Sequence, residues 1–209
     1  MTFQLKGKHG ILLLTGLILL SLLAVGVFNK HAFTSKYKFG DIVDSLNGVP
    51  VFYNGRVGNV SGRNTTKDGY NLGLKYQCVE FVKRYYYQHL KHKMPYSYGH
   101  AKEFFNHSVA DGQLNKQRNL LQFSNSSGSK PQTDDLLVFD GTKYNKYGHV
   151  AIISSVTQNA ITIIQQNPGR SASSRATFSL SKRNGKWRIN NQQILGWLRK
   201  ASSPPLSNS

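Results

Sequence analysis

Downstream of Asp134 the chain is written in short β-branched or apolar runs: Leu136–Phe139, His149–Val156, and residues 160–165, 177–180, 187–189 and 194–198. Glycine, asparagine and aspartate punctuate them. Runs this short and this rich in Ile and Val read as strands, and Gln158-Asn159 reads as a hairpin connection between the second and third. Upstream, the clearest helical period covers residues 77–90, where Val79, Val82, Tyr86 and Leu90 share a face. His89, Lys91, His92 and Lys93 crowd its end, where positive charge complements the helix dipole. Residues 101–109 read as a second short helix, 39–64 as loops and short strands, and 125–133 as a loop. Helices followed by an antiparallel sheet predict an α+β fold.

Ahead of this domain, residues 10–28 (GILLLTGLILLSLLAVGVF) carry no charge and are nearly all apolar. At about 1.5 Å per residue such a helix approaches the ~30 Å of a bilayer core. Lys6 and Lys8 supply a positive flank of the kind that stays cytoplasmic. The expectation is an uncleaved, single-pass anchor in a bacterial inner membrane with the rest of the chain exported. The alternative is secretion after cleavage near Ala24-Val25-Gly26. The implied organisation is a cytoplasmic start (1–9), a transmembrane signal anchor (10–28), a basic stalk (29–48), one domain (49–199) and a disordered tail (200–209).

Charge narrows the partners. The 209 residues hold 27 Lys and Arg against 9 Asp and Glu, a formal net charge of +18. A field of that sign favours polyanions, whether nucleic acid, anionic lipid or an acidic wall polymer. The basic residues are dispersed, with no arginine-rich arm or zinc-finger spacing, which argues against nucleic acid. One cysteine, Cys78, excludes an internal disulfide framework and a cysteine-based zinc cluster. His89 and His92 lie three apart but have no acidic neighbour in sequence and read as solvated residues of the last turn. Asp68 and Asp111 are isolated. No metal or cofactor is expected, and the sequence leaves the oligomeric state open.

Cys78 stands where the polar Tyr76-Gln77 gives way to the helical period. Unpaired N–H groups and the dipole at a helix start favour a thiolate, the reactive form of cysteine. Taken alone, a single cysteine is more often core filler, so its company decides. His149 opens a strand behind Gly148, and the apolar run after it is a rigid mount. Sixteen residues on (165 − 149), the next strand ends in Gln165-Gln166-Asn167. A cysteine nucleophile needs a base, and the base needs an acceptor on its far nitrogen, which a side-chain amide can supply. Gln165 or Asn167 could fill that place; either could also be an ordinary polar strand terminus.

The segments 73–81 (GLKYQCVEF), 135–139 (DLLVF), 148–151 (GHVA) and 165–167 (QQN) resemble the signatures of the CHAP family, the cysteine, histidine-dependent amidohydrolases/peptidases of the papain-like superfamily. The block around Cys78 is particularly similar to the amidase domain of glutathionylspermidine synthetase/amidase, and the likeness extends over about residues 49–199. It implies a papain-like domain with Cys78 as nucleophile and His149 as base. It also makes Gln77 and the Cys78 N–H candidate oxyanion donors, the Gln77 side chain being equally readable as a helix-start group. The family commonly places a glutamate where this chain has Gln165. An amide orients an imidazole but lends it no charge, so the departure implies slower chemistry or a shifted pH optimum. The expected activity is cleavage of a peptidoglycan amide or peptide bond. The alternatives are a glutathionylspermidine-type amidase, or a degenerate module that binds wall polymer without cutting it.

Overall fold

The computed structural model describes residues 36–169 and 172–201. The expected anchor (10–28), most of the expected stalk and residues 202–209 of the expected tail lie outside the described residues. Among the described residues, no helix is long and apolar enough to cross a membrane.

The described residues form twelve strands and one α-helix, in chain order β1 Ile42–Leu46, β2 Val49–Phe52, β3 Arg63–Thr65, β4 Asn71–Leu74, α1 Cys78–Gln88, a 3-10 helix Ala101–Phe104, β5 Leu114–Asn115, β6 Leu120–Ser124, β7 Leu136–Phe139, β8 His149–Val156, β9 Ala160–Ile164, β10 Arg175–Arg183, β11 Lys186–Ile189 and β12 Ile194–Arg199. Eight strands form one antiparallel sheet in the order β11-β10-β9-β8-β7-β12-β6-β5. β1–β2 and β3–β4 are separate hairpins. The class is α+β and mostly sheet. The plural helices expected ahead of the sheet reduce to α1 and the 3-10 turn, because the chain becomes extended at Phe105 (φ −93°, ψ 126°). The hairpin β1–β2 straddles the boundary drawn at residue 49, so folded structure reaches back into the expected stalk.

Strand alternation sorts the core into two faces. Leu136, Val138, Val150, Ile152 and Ile164 point to one face, where they meet Phe81, Val82, Tyr85 and Tyr86 of α1. Leu137, Ala151, Ile153, Ile163 and Trp197 point to the other, with Leu180 and Ile189. Each large apolar side chain buried this way contributes about 1.5–3 kcal/mol. The helix is covered on more than one side, since β2, β4 and β8 all pack against it. Glu80, Lys83 and Arg84 are therefore buried, although on a free-standing amphipathic helix they would face water. Gly73 (φ +129°) permits the close approach of β4, since a Cβ there would lie 3.2 Å from the Glu80 backbone nitrogen.

Candidate active site

Cys78 is the first residue of α1, and Gln77 is its N-cap, extended at φ −81°, ψ 164°. The first bond of the helix runs from the Phe81 N–H to the Gln77 carbonyl, so the Cys78 and Val79 N–H groups precede it and face outward along the axis. The Cys78 thiol is partly buried and lies against the backbone N–H groups of Val150, Val79 and Cys78 itself. Contact with Val150 brings the helix start against the mouth of β8, one residue from His149.

His149 is mounted by Gly148. A Cβ at residue 148 would fall 2.5 Å from the Phe139 carbonyl oxygen and 2.8 Å from the Lys102 Cβ, and the backbone there has φ +74°. Only glycine satisfies both conditions. The imidazole Nε2 is 2.9 Å from Gln165 Oε1. The amide of Gln165 is itself fixed, its Nε2 donating to the Ser173 carbonyl at 3.0 Å. The oxygen must then face the ring, so His149 Nε2 carries the proton and donates it. The lone pair left for the thiol is on Nδ1. The Phe139 ring, 5.8 Å from the imidazole between centroids, closes another side.

Electrostatically this corner is neutral. Burial lowers the His149 pKa to about 4, partly offset by the bond from Gln165. Burial also raises the Cys78 thiol above its ordinary value, in spite of the three N–H groups that pull it down. Burial thus opposes the thiolate that the helix start is expected to favour, and it favours the uncharged forms of both Cys78 and His149.

The amides nearby divide the remaining work. Gln77 Nε2 donates to the carbonyls of Val57 (3.1 Å) and Asn59 (2.8 Å), and its Oε1 accepts from Asn167 Nδ2 at 2.7 Å. Asn167 also donates to the Val57 carbonyl at 2.9 Å. Gln77 makes no side-chain cap bond to its own helix, and both its N–H groups are engaged by the segment 54–59. Of the two amides considered as partners of His149, it is Gln165 that bonds the ring, whereas Asn167 bonds Gln77.

A buried polar cluster directly behind the site was not anticipated from the sequence. Arg84 Nε donates to Glu80 Oε1 at 2.6 Å, and Gln166 Nε2 donates to Glu80 Oε2 at 2.8 Å and to the Gln77 carbonyl at 3.0 Å. Asn64 donates to Glu80, and the Phe52 N–H donates to Gln166. The cluster ties helix start, strand end and β2 together. The signal that could have found it is the i,i+4 spacing of Glu80 and Arg84. Among the described residues, no group of three His, Cys, Asp or Glu side chains could hold a metal ion.

A family model for the CHAP domain matches residues 67–167, a span that contains Cys78, His149, Gln165 and Asn167. Residues 67–167, just under half of the chain, are thus similar to the CHAP domain. Strands β10 to β12 lie beyond the matched span of the CHAP domain and complete its sheet. The chain is 27% identical over 182 residues to trypanothione synthetase of Crithidia fasciculata, covering 82% of this chain and 28% of that protein. It is 34% identical over 99 residues to the bifunctional glutathionylspermidine synthetase/amidase of Escherichia coli, covering 46% of this chain and 16% of that protein. A glutathionylspermidine synthase of Crithidia fasciculata is 27% identical over 163 residues, 66% of this chain and 22% of that protein. The chain thus spans less than a third of the length of each of these relatives.

Proposed function

We propose that this protein is a membrane-anchored cysteine amidohydrolase whose exported CHAP domain cleaves an amide or peptide bond of peptidoglycan. The observation that carries the chemistry is the tautomer of His149: Nε2–H is committed to Gln165 Oε1, which leaves Nδ1 as the basic nitrogen, and the Cys78 thiol lies against Val150, the residue after His149. In the first step the thiol proton passes to Nδ1 as Sγ attacks the carbonyl carbon. The developing oxyanion is held by the N–H groups at the start of α1. The C–N bond then breaks, the amine departs with the proton from Nδ1, and a thioester remains. Water attacks the thioester while His149 takes its proton, and the thiol is restored as the acid is released.

The neutral resting pair sets the cost of this route. Attack requires proton transfer within the step, because no thiolate is preformed, and no carboxylate stabilises the imidazolium that forms. Gln77 reaches the oxyanion only by releasing the Val57 and Asn59 carbonyls, so the backbone donors act first.

Substrate class rests on charge and location. Glu80, Asp68, Asp44 and Asp135 are held in ion pairs, leaving a large basic surplus for an anionic wall polymer. The apolar segment 10–28 supports a location outside the inner membrane. Sacculi incubated with the full-length protein should release new amines, and Cys78→Ala should release none. Equal release by the two proteins rejects the cysteine mechanism.

The relatives favour a second reading, cleavage of a glutathione–polyamine amide. A basic surface opposes it, since it repels a polyamine. Turnover of glutathionylspermidine exceeding that of muropeptides would establish it over the first.

A further inference from the structure

Beside the 3-10 helix lies an open cleft of about 450 Å³, within the ~300–1,000 Å³ range of small-molecule sites. One wall is Tyr96. The opposite wall is Phe105 and His107, whose rings meet edge to face with centroids 5.3 Å apart. Glu103, Asn106 and Gln117 complete the rim, and Arg118 is the floor. Among the described residues, the Gln117 amide, the Asn106 Nδ2 and Glu103 Oε1 have no hydrogen bond within the chain. Glu103 Oε2 is taken by the His100 N–H.

The floor is built at a cost that the core does not require. Arg118 is fully buried with no carboxylate partner, and its Nε has no hydrogen bond. Burial pulls its pKa down to about 10. Its remaining donors go to backbone carbonyls: Tyr96 at 2.6 Å, Tyr98 at 3.3 Å and Glu103 at 3.4 Å. Lys83, equally buried, donates to the Ser97 carbonyl at 3.0 Å. Two buried basic side chains therefore pin three consecutive carbonyls, and the Tyr96 N–H is held by the Gln117 carbonyl at 3.0 Å. The tyrosines above stay in solvent, Tyr96 at 49% and Tyr98 at 59% exposure. Arg118 lies over the Tyr96 ring and Arg63 over the Tyr98 ring, each 5.6 Å from the centroid. A held backbone thus presents half-exposed rings in fixed positions, which is preorganised to bind.

The chemistry of the lining selects the ligand. Aromatic faces with neutral amides and one carboxylate at the rim match a ring that is apolar on its flat faces and hydroxyl- or amide-bearing at its edge. That is a sugar. The 3-10 helix that borders the cleft packs on β7 and on β8, the strand that His149 opens. The His100 ring lies tilted against Tyr147 with centroids 4.5 Å apart, two residues before His149.

We propose that the Tyr96–Arg118 cleft is a saccharide subsite, which holds an N-acylated sugar of the substrate's glycan strand while the amide is presented to Cys78. This rests on the peptidoglycan reading, and the test separates the two. β-1,4-linked N-acetylglucosamine tetramer would be titrated into the full-length protein in detergent, wild type and the variants Tyr96→Ala, Tyr96→Phe and Gln117→Ala, each with its melting curve. The expected result is saturable binding weakened about tenfold or more by Tyr96→Ala and by Gln117→Ala at unchanged melting temperature, and retained by Tyr96→Phe. Turnover of a sugar-free muropeptide stem should stay unchanged in Gln117→Ala while turnover of sacculi falls. No binding by wild type, equal binding by all variants, or displacement of the tetramer by polyphosphate would overturn the subsite. Tetramer binding by a wild-type protein that itself releases no amines from sacculi would support the subsite and reject the amidase reading alone.

Discussion

Gln165 and Gln166 are adjacent at the end of β9, yet they serve opposite electrostatic regimes. Gln165 bonds an imidazole that burial favours in its uncharged form. Gln166 faces Glu80 and Arg84, a buried ion pair with Nε to Oε1 at 2.6 Å. Behind the site, buried charge is paired and hydrogen-bonded, whereas burial favours uncharged groups at the corner where chemistry is proposed. One side stiffens the helix start, and the other waits for charge to appear in the reaction.

If the charged side is structural, breaking it should cost most. Glu80→Ala leaves Arg84 buried without its partner and should lower stability by about 3–5 kcal/mol in urea unfolding. A loss under 1 kcal/mol would mean that water reaches the cluster. Gly148→Ala strikes the neutral side through the backbone. Overpacking costs about 1–3 kcal/mol, the positive φ a further ~1–2 kcal/mol, and amide turnover should fall below detection as His149 shifts. Wild-type turnover in this variant would show that the mounting of His149 is unimportant. Gln166→Leu tests the junction between the sides. It removes donors to Glu80 and the Gln77 carbonyl and should cost about 1–3 kcal/mol, with thermal melting as the readout.

A smaller effect comes from pH. His149 is held at about 4 in the folded protein against about 6.5 unfolded. Between those values the unfolded chain binds the extra proton, so stability should be level above about pH 6.5 and fall as pH drops towards 4. His149→Gln should flatten that limb in melting curves from pH 4 to 7. An unchanged limb would assign the acid sensitivity elsewhere, with buried His92, also lowered by burial, the first place to look.

The neutral side was far more legible in the sequence than the charged side. Cys78 begins α1 and His149 begins β8, and both starts are visible because hydrophobic periodicity changes there. The hairpin between β8 and β9 brings Gln165 within 2.9 Å of the His149 ring, and chain order shows the two strand ends as neighbours. Glu80, Lys83 and Arg84 look like a solvated helix face, and only the packing of β2 and β4 across α1 buries them. That packing joins residues far apart in sequence, such as Phe52 with Gln166, and no local pattern reports it. The rise of the Cys78 pKa escaped for the same reason: the dipole at a helix start can be read locally, whereas desolvation is set by the whole fold. The helix expected over 101–109 stops at Phe104, and Phe105 and His107, which follow it, line the cleft on Arg118.

The pH profile of Cys78 alkylation by iodoacetamide, in wild type and Gln165→Glu, tests the neutral pair most directly. The wild-type midpoint should lie above the ordinary thiol value of about 8.5, and the variant's carboxylate should stabilise an imidazolium and move that midpoint down. A wild-type thiol that alkylates as fast at pH 6 as at pH 9, or identical profiles for the two proteins, would contradict it.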